Sequence, residues 1–228
     1  MSKSAFISRA LAADSPFRDL LLSAGFEVYG QSLVKFEPIA YNSPPSTDWV
    51  FCYSARSVDF FLQGLERHGL STADFPKYAA IGPGTADALQ RWSITPHFIG
   101  TGQPEETAAA FLTIAEGRRV LFPRAEQSRQ SVQRLLSNAI QVADLVVYRN
   151  TIDTSVSLSN TDYAALTSPL NAQAYVALRG DQPLPRIVAI GKTTAHALRE
   201  VGVDAFRIAS QSSEQALAET VLGWERDT

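Results

Sequence analysis

One cysteine and three histidines in 228 residues leave little material for several kinds of chemistry. Cys52 has no partner for an intrachain disulfide. His68, His97 and His196 have neither cysteine neighbours nor the close mutual spacing of a zinc site, so neither a disulfide scaffold nor a bound metal is expected. An excess of either charge is lacking too. The 20 Lys and Arg stand against 23 Asp and Glu, for a net charge of −3, and no polybasic surface is available for nucleic acid or anionic lipid. No uninterrupted apolar run approaches the ~18 residues of a membrane-spanning helix. The opening stretch MSKSAFISRALAAD ends in small residues, but Arg9 interrupts what would be the apolar part of a signal peptide, so no targeting segment and a cytoplasmic location are expected. Finally, no Ser-His-Asp, Cys-His or paired-carboxylate arrangement can be argued from spacing.

What is present is a duplication. With 45% hydrophobic residues, the length suits one large domain or two small ones. Ala80 to Leu89 (AIGPGTADAL) aligns without gaps on Ala189 to Leu198 (AIGKTTAHAL), with seven of ten positions identical. The same offset pairs Ile99 with Ile208, Glu105 with Glu214 and Ala109 with Ala218. Upstream, with small shifts in offset, Ser54-Ala55 corresponds to Ser168-Pro169, ISRA around Arg9 to FPRA around Arg124, and Val34-Lys35-Phe36 to Val147-Tyr148-Arg149.

Each unit reads as alternating strands and helices. Val50 to Tyr53, Tyr78 to Ile81, Val120 to Phe122 and Leu145 to Tyr148 are short apolar runs of the kind buried on both faces of a parallel sheet. Helix ends are marked between them: Thr85 as an N-cap, Pro104 with Glu105 and Glu106 opening a helix that Gly117 closes, Thr193 or Thr194 capping one that Gly202 ends, and Ser212 with Gln215 as a capping box. The pattern predicts an α/β protein of doubly wound parallel sheets. Consecutive halves and an inserted domain both fit the repeat; the Pro/Asn/Ser-rich stretch Pro38 to Ser46 and the polar Asn150 to Asn160 are the linker candidates for an insertion.

The chemistry-bearing candidates sit at the ends of these strands. The turn Gly82-Pro83-Gly84-Thr85 and its copy Gly191-Lys192-Thr193-Thr194 each offer unbonded amides at a helix N-terminus, which attract anions; the same residues also make an ordinary tight turn and cap. Neither is a nucleotide loop. A P-loop would need glycine at Arg186, and a dinucleotide fingerprint would need one at Asp87. Ser54, Arg56 and Ser168 stand at the other strand ends, and Arg9 and Arg124 each follow an apolar run. Hydroxyls and guanidinium groups so placed suit carboxylates, although caps and solvated arginines need no ligand. Tyr148 ends its apolar run, where a phenol can serve packing or donate a proton.

Taken in order, VFCYSARSVDFFLQGL, YAAIGPGTADAL, VLFPRAEQSR, VVYRNT, ALTSPLNAQAYVAL and IVAIGKTTAHALREVGVDAFRIASQSSEQAL resemble the uroporphyrinogen-III synthase family over nearly the whole chain. The resemblance implies two α/β domains, residues 1–36 with 150–228 and the inserted 37–149, joined by a two-segment linker with the active-site cleft between them. It implies an enzyme that cyclises hydroxymethylbilane without metal or organic cofactor. The ring A hydroxyl departs to leave an azafulvene cation, ring D attacks through its substituted carbon, and the resulting spiro intermediate fragments and recloses with ring D reversed. It assigns proton donation to Tyr148, in a motif whose threonine, Thr151, is displaced by one position. Substrate binding carries over to Ser54, Arg56, Thr85, Ser168, Thr193 and Thr194; from their place at the strand ends Gly82, Arg9 and Arg124 are expected to join them. It also implies a monomer in transient contact with hydroxymethylbilane synthase. The competing class is a non-catalytic two-lobe protein that binds an anionic small molecule on the same fold. An electron-rich bilane ionises readily and needs shaping more than activation, which accounts for the absent triads.

Overall fold

A computed structural model describes residues 2–227. These divide into two compact units, the first made of the residues up to Lys35 and from Thr151 onward, the second of Phe36–Asn150. The first unit opens with β1 (Ser4–Ile7), α1 (Pro16–Ser23) and β2 (Glu27–Gly30). Strand β3 (Val34–Pro38) leads into the second unit, with β4 (Trp49–Cys52), α2 (Ala55–Arg67), β5 (Tyr78–Ala80), α3 (Pro83–Arg91), β6 (Phe98–Ile99), α4 (Pro104–Ala115), β7 (Arg119–Ala125) and α5 (Ser131–Leu136). Strand β8 (Gln141–Ile152) leads back to β9 (Tyr163–Leu166), α6 (Pro169–Arg179), β10 (Arg186–Ala189), α7 (Lys192–Glu200), β11 (Phe206–Ile208) and α8 (Glu214–Arg226). The run expected at Leu145 to Tyr148 is thus only the middle of a longer strand.

The five-stranded sheet of the first unit has the order β11-β10-β9-β1-β2, every pair parallel. The six-stranded sheet has the order β3-β8-β7-β4-β5-β6, parallel from β8 to β6. Hydrogen bonds from Ile39 N–H to Val147 O and from Asp153 N–H to Leu33 O run in opposite senses along the chain, so β3 and β8 are antiparallel. The repeat is visible in the strand order: β8-β7-β4-β5-β6 matches β2-β1-β9-β10-β11 position for position, as if the second unit began at β7. The register agrees as well. Ala5 opposite Tyr163 corresponds to Val120 opposite Trp49, Ala164 opposite Ile187 to Val50 opposite Tyr78, and Ala189 opposite Ile208 to Ala80 opposite Ile99. A side-chain period of two makes a one-residue slip turn a whole strand inside out, so this agreement means that the two units bury equivalent positions.

Each sheet is covered on both faces. Along β4, Val50 and Cys52 join one apolar cluster while Trp49 and Phe51 join the other. Along β9, Tyr163 and Ala165 alternate in the same way with Ala164 and Leu166. That is why the strands read as unbroken apolar runs instead of alternating ones. Cys52 is fully buried in this core, and burial pushes its thiol up to about 12, so it is an inert packing residue.

Three helix starts differ in detail from expectation. Gly82, not Thr85, is the N-cap of α3, and Gly191 is the N-cap of α7, neither with a side-chain cap bond. The helices begin earlier because Pro83 pre-sets the first helical φ and each glycine adopts the extended cap conformation, which leaves Thr85, Thr193 and Thr194 inside the first turn. Ser213 rather than Ser212 caps α8, its hydroxyl accepting from the Ala216 amide. Pro104 does open α4, and Gly117 and Gly202 adopt φ of +70° and +80° just past the ends of α4 and α7, the left-handed closure only glycine makes cheaply.

Candidate functional site

In parallel sheets, ligands are met beyond the carboxyl ends of the strands. Every residue singled out from the sequence stands at such an end within its own unit. In the first unit Arg9 follows β1, Ser168 follows β9, and Thr193 and Thr194 follow β10. In the second, Ser54 and Arg56 follow β4, Gly82 and Thr85 follow β5, and Arg124 is near the end of β7. Tyr148 lies inside β8, but the register sets it opposite Ala125, past a bulge after Arg124, so it too reaches the carboxyl edge.

The serine turns are built alike. Ser54 Oγ accepts from the Ser57 amide while Ser57 Oγ lies 3.1 Å from the Ser54 amide, a closed capping box. Ser168 Oγ accepts from the Asn171 amide and from its Nδ2, and Asn171 Oδ1 takes the Leu33 amide at 3.0 Å. Asn171 therefore anchors the cap and the chain entering β3, and its chemistry is used up within the fold.

The glycine turns differ in what they leave free. At α7 the first intrahelical bond runs from Ala195 N–H to Gly191 O, so the amides of Lys192, Thr193 and Thr194 precede it. At α3 Pro83 has no amide, and Thr85 N–H already bonds Gly82 O at 3.1 Å, which leaves Gly84. Thr193 is exposed, Thr85 and Thr194 are buried, and Thr194 Oγ1 has no hydrogen-bond partner among the described residues. Close approach favours glycine at 82, since a Cβ there would sit 3.0 Å from Gly102 Cα and that backbone would have to shift to admit it.

The two arginines also diverge. Arg124 grips Asp144 in bidentate fashion at 2.6 and 2.5 Å and donates to the carbonyls of Ala125 and Glu126, with its side chain only 11% exposed. The Arg9 side chain is 46% exposed and, among the described residues, pairs with Glu214 alone, at 3.1 Å. Glu214 is shared with the Ser15 hydroxyl at 2.5 Å. Burial opposes its charge, but Ser15, Arg9 and the Phe17 amide together hold its carboxyl below the usual value.

Tyr148 is packed among aromatics that no sequence pattern exposes. Its ring stacks on Phe60 at 4.9 Å and 15°, and Phe36 lies 6.2 Å away. The Arg56 guanidinium covers the far ring, 3.9 Å from the Phe36 centroid, and has no hydrogen bond or ion pair among the described residues. The Tyr148 hydroxyl likewise has no hydrogen-bond partner among the described residues, although only 8% of the residue is exposed. A phenol held rigidly at a strand end, in a cluster whose neighbouring Phe36 ring carries the Arg56 guanidinium, can give a proton to a departing group while the cation meets an acid. Phe60 follows Arg56 by one helical turn of α2, the only trace of this cluster in the sequence.

Among the described residues no group of His, Cys, Asp and Glu side chains could hold a metal ion, and no helix is long and apolar enough to cross a membrane.

A family model described as Uroporphyrinogen-III synthase HemD matches residues 15–219. The crystal structure of uroporphyrinogen-III synthetase from Helicobacter pylori superposes with a TM-score of 0.66 at 18% identity, over 98% of this chain and 100% of that one. A mutant uroporphyrinogen III synthase from the extremely thermophilic bacterium Thermus thermophilus gives 0.54 at 17% identity, over 100% of both chains. At these identities the two structures speak for the fold. Among curated proteins no sequence matches.

Proposed function

The chain belongs to the uroporphyrinogen-III synthase family, and from that premise we propose how its residues carry out the reaction. The activity is the cyclisation of hydroxymethylbilane with loss of water and inversion of ring D, a lyase step of porphyrin and haem biosynthesis. Tyr148 gives its phenolic proton to the ring A hydroxyl, which leaves as water. The azafulvene cation is attacked by the substituted carbon of ring D to form the spiro intermediate; the bond from ring C to ring D then breaks and ring D recloses through its other carbon. The proton lost as ring D regains aromaticity returns to the phenolate, so Tyr148 ends as it began.

Arg56 is the carboxylate partner nearest this step. The amides of the Gly191 turn, the exposed Thr193 hydroxyl and Arg9 hold other carboxylates in the same role, with Ser54, Ser168, Gly82 and Thr85 shaping the turns. Arg124, already committed to Asp144, keeps the β7 end rigid. The remaining barrier is lowered by holding the bilane in the curled conformation that favours the spiro route over direct closure. We place the protein in the cytoplasm as a monomer, in transient contact with the synthase that makes the unstable bilane.

The observation that carries this reading is the Tyr148 hydroxyl, without a hydrogen-bond partner among the described residues at a strand end, in an aromatic cluster whose Phe36 ring is covered by the Arg56 guanidinium. Nothing favours the non-catalytic alternative. The test is to supply hydroxymethylbilane and separate the uroporphyrinogen isomers after oxidation: isomer III is expected, and isomer I alone would overturn the assignment.

A further inference from the structure

At the amino ends of β9 and β10, the side of the first unit's sheet opposite Ser168 and Gly191, lies a cavity of about 440 Å³. Asn160, Thr161, Asp162, Arg179 and Arg186 line it, with residues 183–185 closing one wall. Residue 162 and residue 168 bracket β9, so the cavity stands roughly 20 Å along the strand from the serine turn.

Arg179 is the anomaly. It is 6% exposed, ends α6, and meets only neutral acceptors: Asn160 Oδ1 at 2.8 Å and Pro183 O at 2.6 Å. It forms no ion pair among the described residues, and its Nε is buried without any partner. A guanidinium stays charged, and burying one without an anion is costly. The Tyr175 hydroxyl, close to Thr161 and Arg179, is buried without a well-formed hydrogen bond too. The Arg179 Nε–H can only donate, and the Tyr175 hydroxyl has a proton to give as well. The other charges at the cavity are already placed: Asp162 accepts from the amide and hydroxyl of Ser4, and Arg186 faces Glu225 at 3.6 Å while donating to the Tyr163 hydroxyl. Arg179 is therefore the arginine of this pocket without a carboxylate partner among the described residues, and the component it lacks is an acceptor carrying negative charge, seated on its side of the lining away from the Asp162 carboxylate.

We propose that this cavity is a binding site for a small oxyanion, a phosphate or a carboxylate, seated on Arg179 with Arg186, Asn160 and Thr161 at its rim. The site is separate from the residues assigned to the bilane. The planar fork of Arg179 suits two oxygens on one centre, and Arg186 adds a second donor group at the entrance.

The test is titration of the whole protein with inorganic phosphate and, separately, with succinate, read by amide chemical shifts and by Tm. Saturable shifts at residues 160–162, 179 and 183–186 are expected, independent of any that the same anion produces at the Gly191 turn, with the better-binding anion identifying its class. Arg179→Met is expected to abolish them. Should that variant not fold, Arg186→Gln, at the rim, is expected to weaken binding about tenfold, and Asn160→Asp, which places a negative charge beside Arg179, to abolish it. Conversion of hydroxymethylbilane should be unchanged in Arg186→Gln, which separates this site from the catalytic reading. Shifts that are absent from residues 160–162, 179 and 183–186, that never saturate there, or that appear on residues 191–194 alone would overturn the proposal.

Discussion

The two units share a backbone plan down to strand register and matching serine caps, yet at several other strand ends their equivalent side chains do different work. Arg9 and Arg124 stand at the ends of equivalent strands, but one is half-exposed on a single carboxylate and the other is locked by four hydrogen bonds. The Gly191 turn keeps three amides ahead of its first helical bond, while Pro83 and the Thr85 bond leave the Gly82 turn with one. In the second unit Tyr148 lies in an aromatic pocket with Arg56 alongside. A duplicated fold keeps what the core demands, because register and two-sided burial admit few solutions; the strand ends carry no such demand and are free to specialise.

The sharpest way to break that contrast is Tyr148→Phe, which keeps the stack on Phe60 and removes the hydroxyl. Turnover is expected to fall by about 100-fold with KM nearly constant. Unchanged turnover would mean that positioning alone suffices and that the second unit has no special chemical share. The arginine pair is tested by Arg124→Met against Arg9→Met. Losing Arg124 strands Asp144 and is expected to cost about 2 kcal/mol, several degrees in Tm by calorimetry. Losing Arg9 should cost less than about 1 kcal/mol but raise KM for the bilane several-fold. The reverse pattern would exchange the roles assigned to them.

The turns are compared by Lys192→Pro, which copies Pro83 into the first unit and deletes one amide donor at a position where proline fits a helix. KM is expected to rise about three- to tenfold relative to Lys192→Ala, with the helix content by circular dichroism unchanged. The smallest effect belongs to Glu214. Its carboxyl is held below the ordinary value of 4.5, so its contribution is complete above that pH and disappears as pH falls through the lower folded value. Glu214→Gln should lower Tm by an amount equivalent to about 1 kcal/mol at pH 7, a difference that closes as pH falls below the ordinary glutamate value. A difference that persisted there would mean that shape, not charge, holds Ser15 and Arg9.

Much of this was legible from residues close together in the chain. The gap-free match of AIGPGTADAL to AIGKTTAHAL located equivalent turns, and Ser54 and Ser168 cap α2 and α6 as their spacing suggests. Thr85, Thr193 and Thr194 were harder to place, since a threonine after glycine suits either a cap or a first turn and the decision rests on where Pro83 and the glycine backbones start the helix. Phe36 and Phe60 carried no signal for their contact with Tyr148, because their rings meet it from β3 and α2.

By itself the sequence determined the α/β alternation, the duplication and the strand-end turns, since glycine, proline and capping serine act over three or four residues and buried strands announce themselves as apolar runs. Tertiary structure alone decided which groups remain free to act. Arg9 meets a carboxylate 205 residues away and Arg124 one only 20 away, and nothing in either local pattern indicates that the nearer partner takes hold of nearly the whole guanidinium. Availability of a donor depends on every acceptor that the fold brings within reach, and that is a property of packing rather than of spacing.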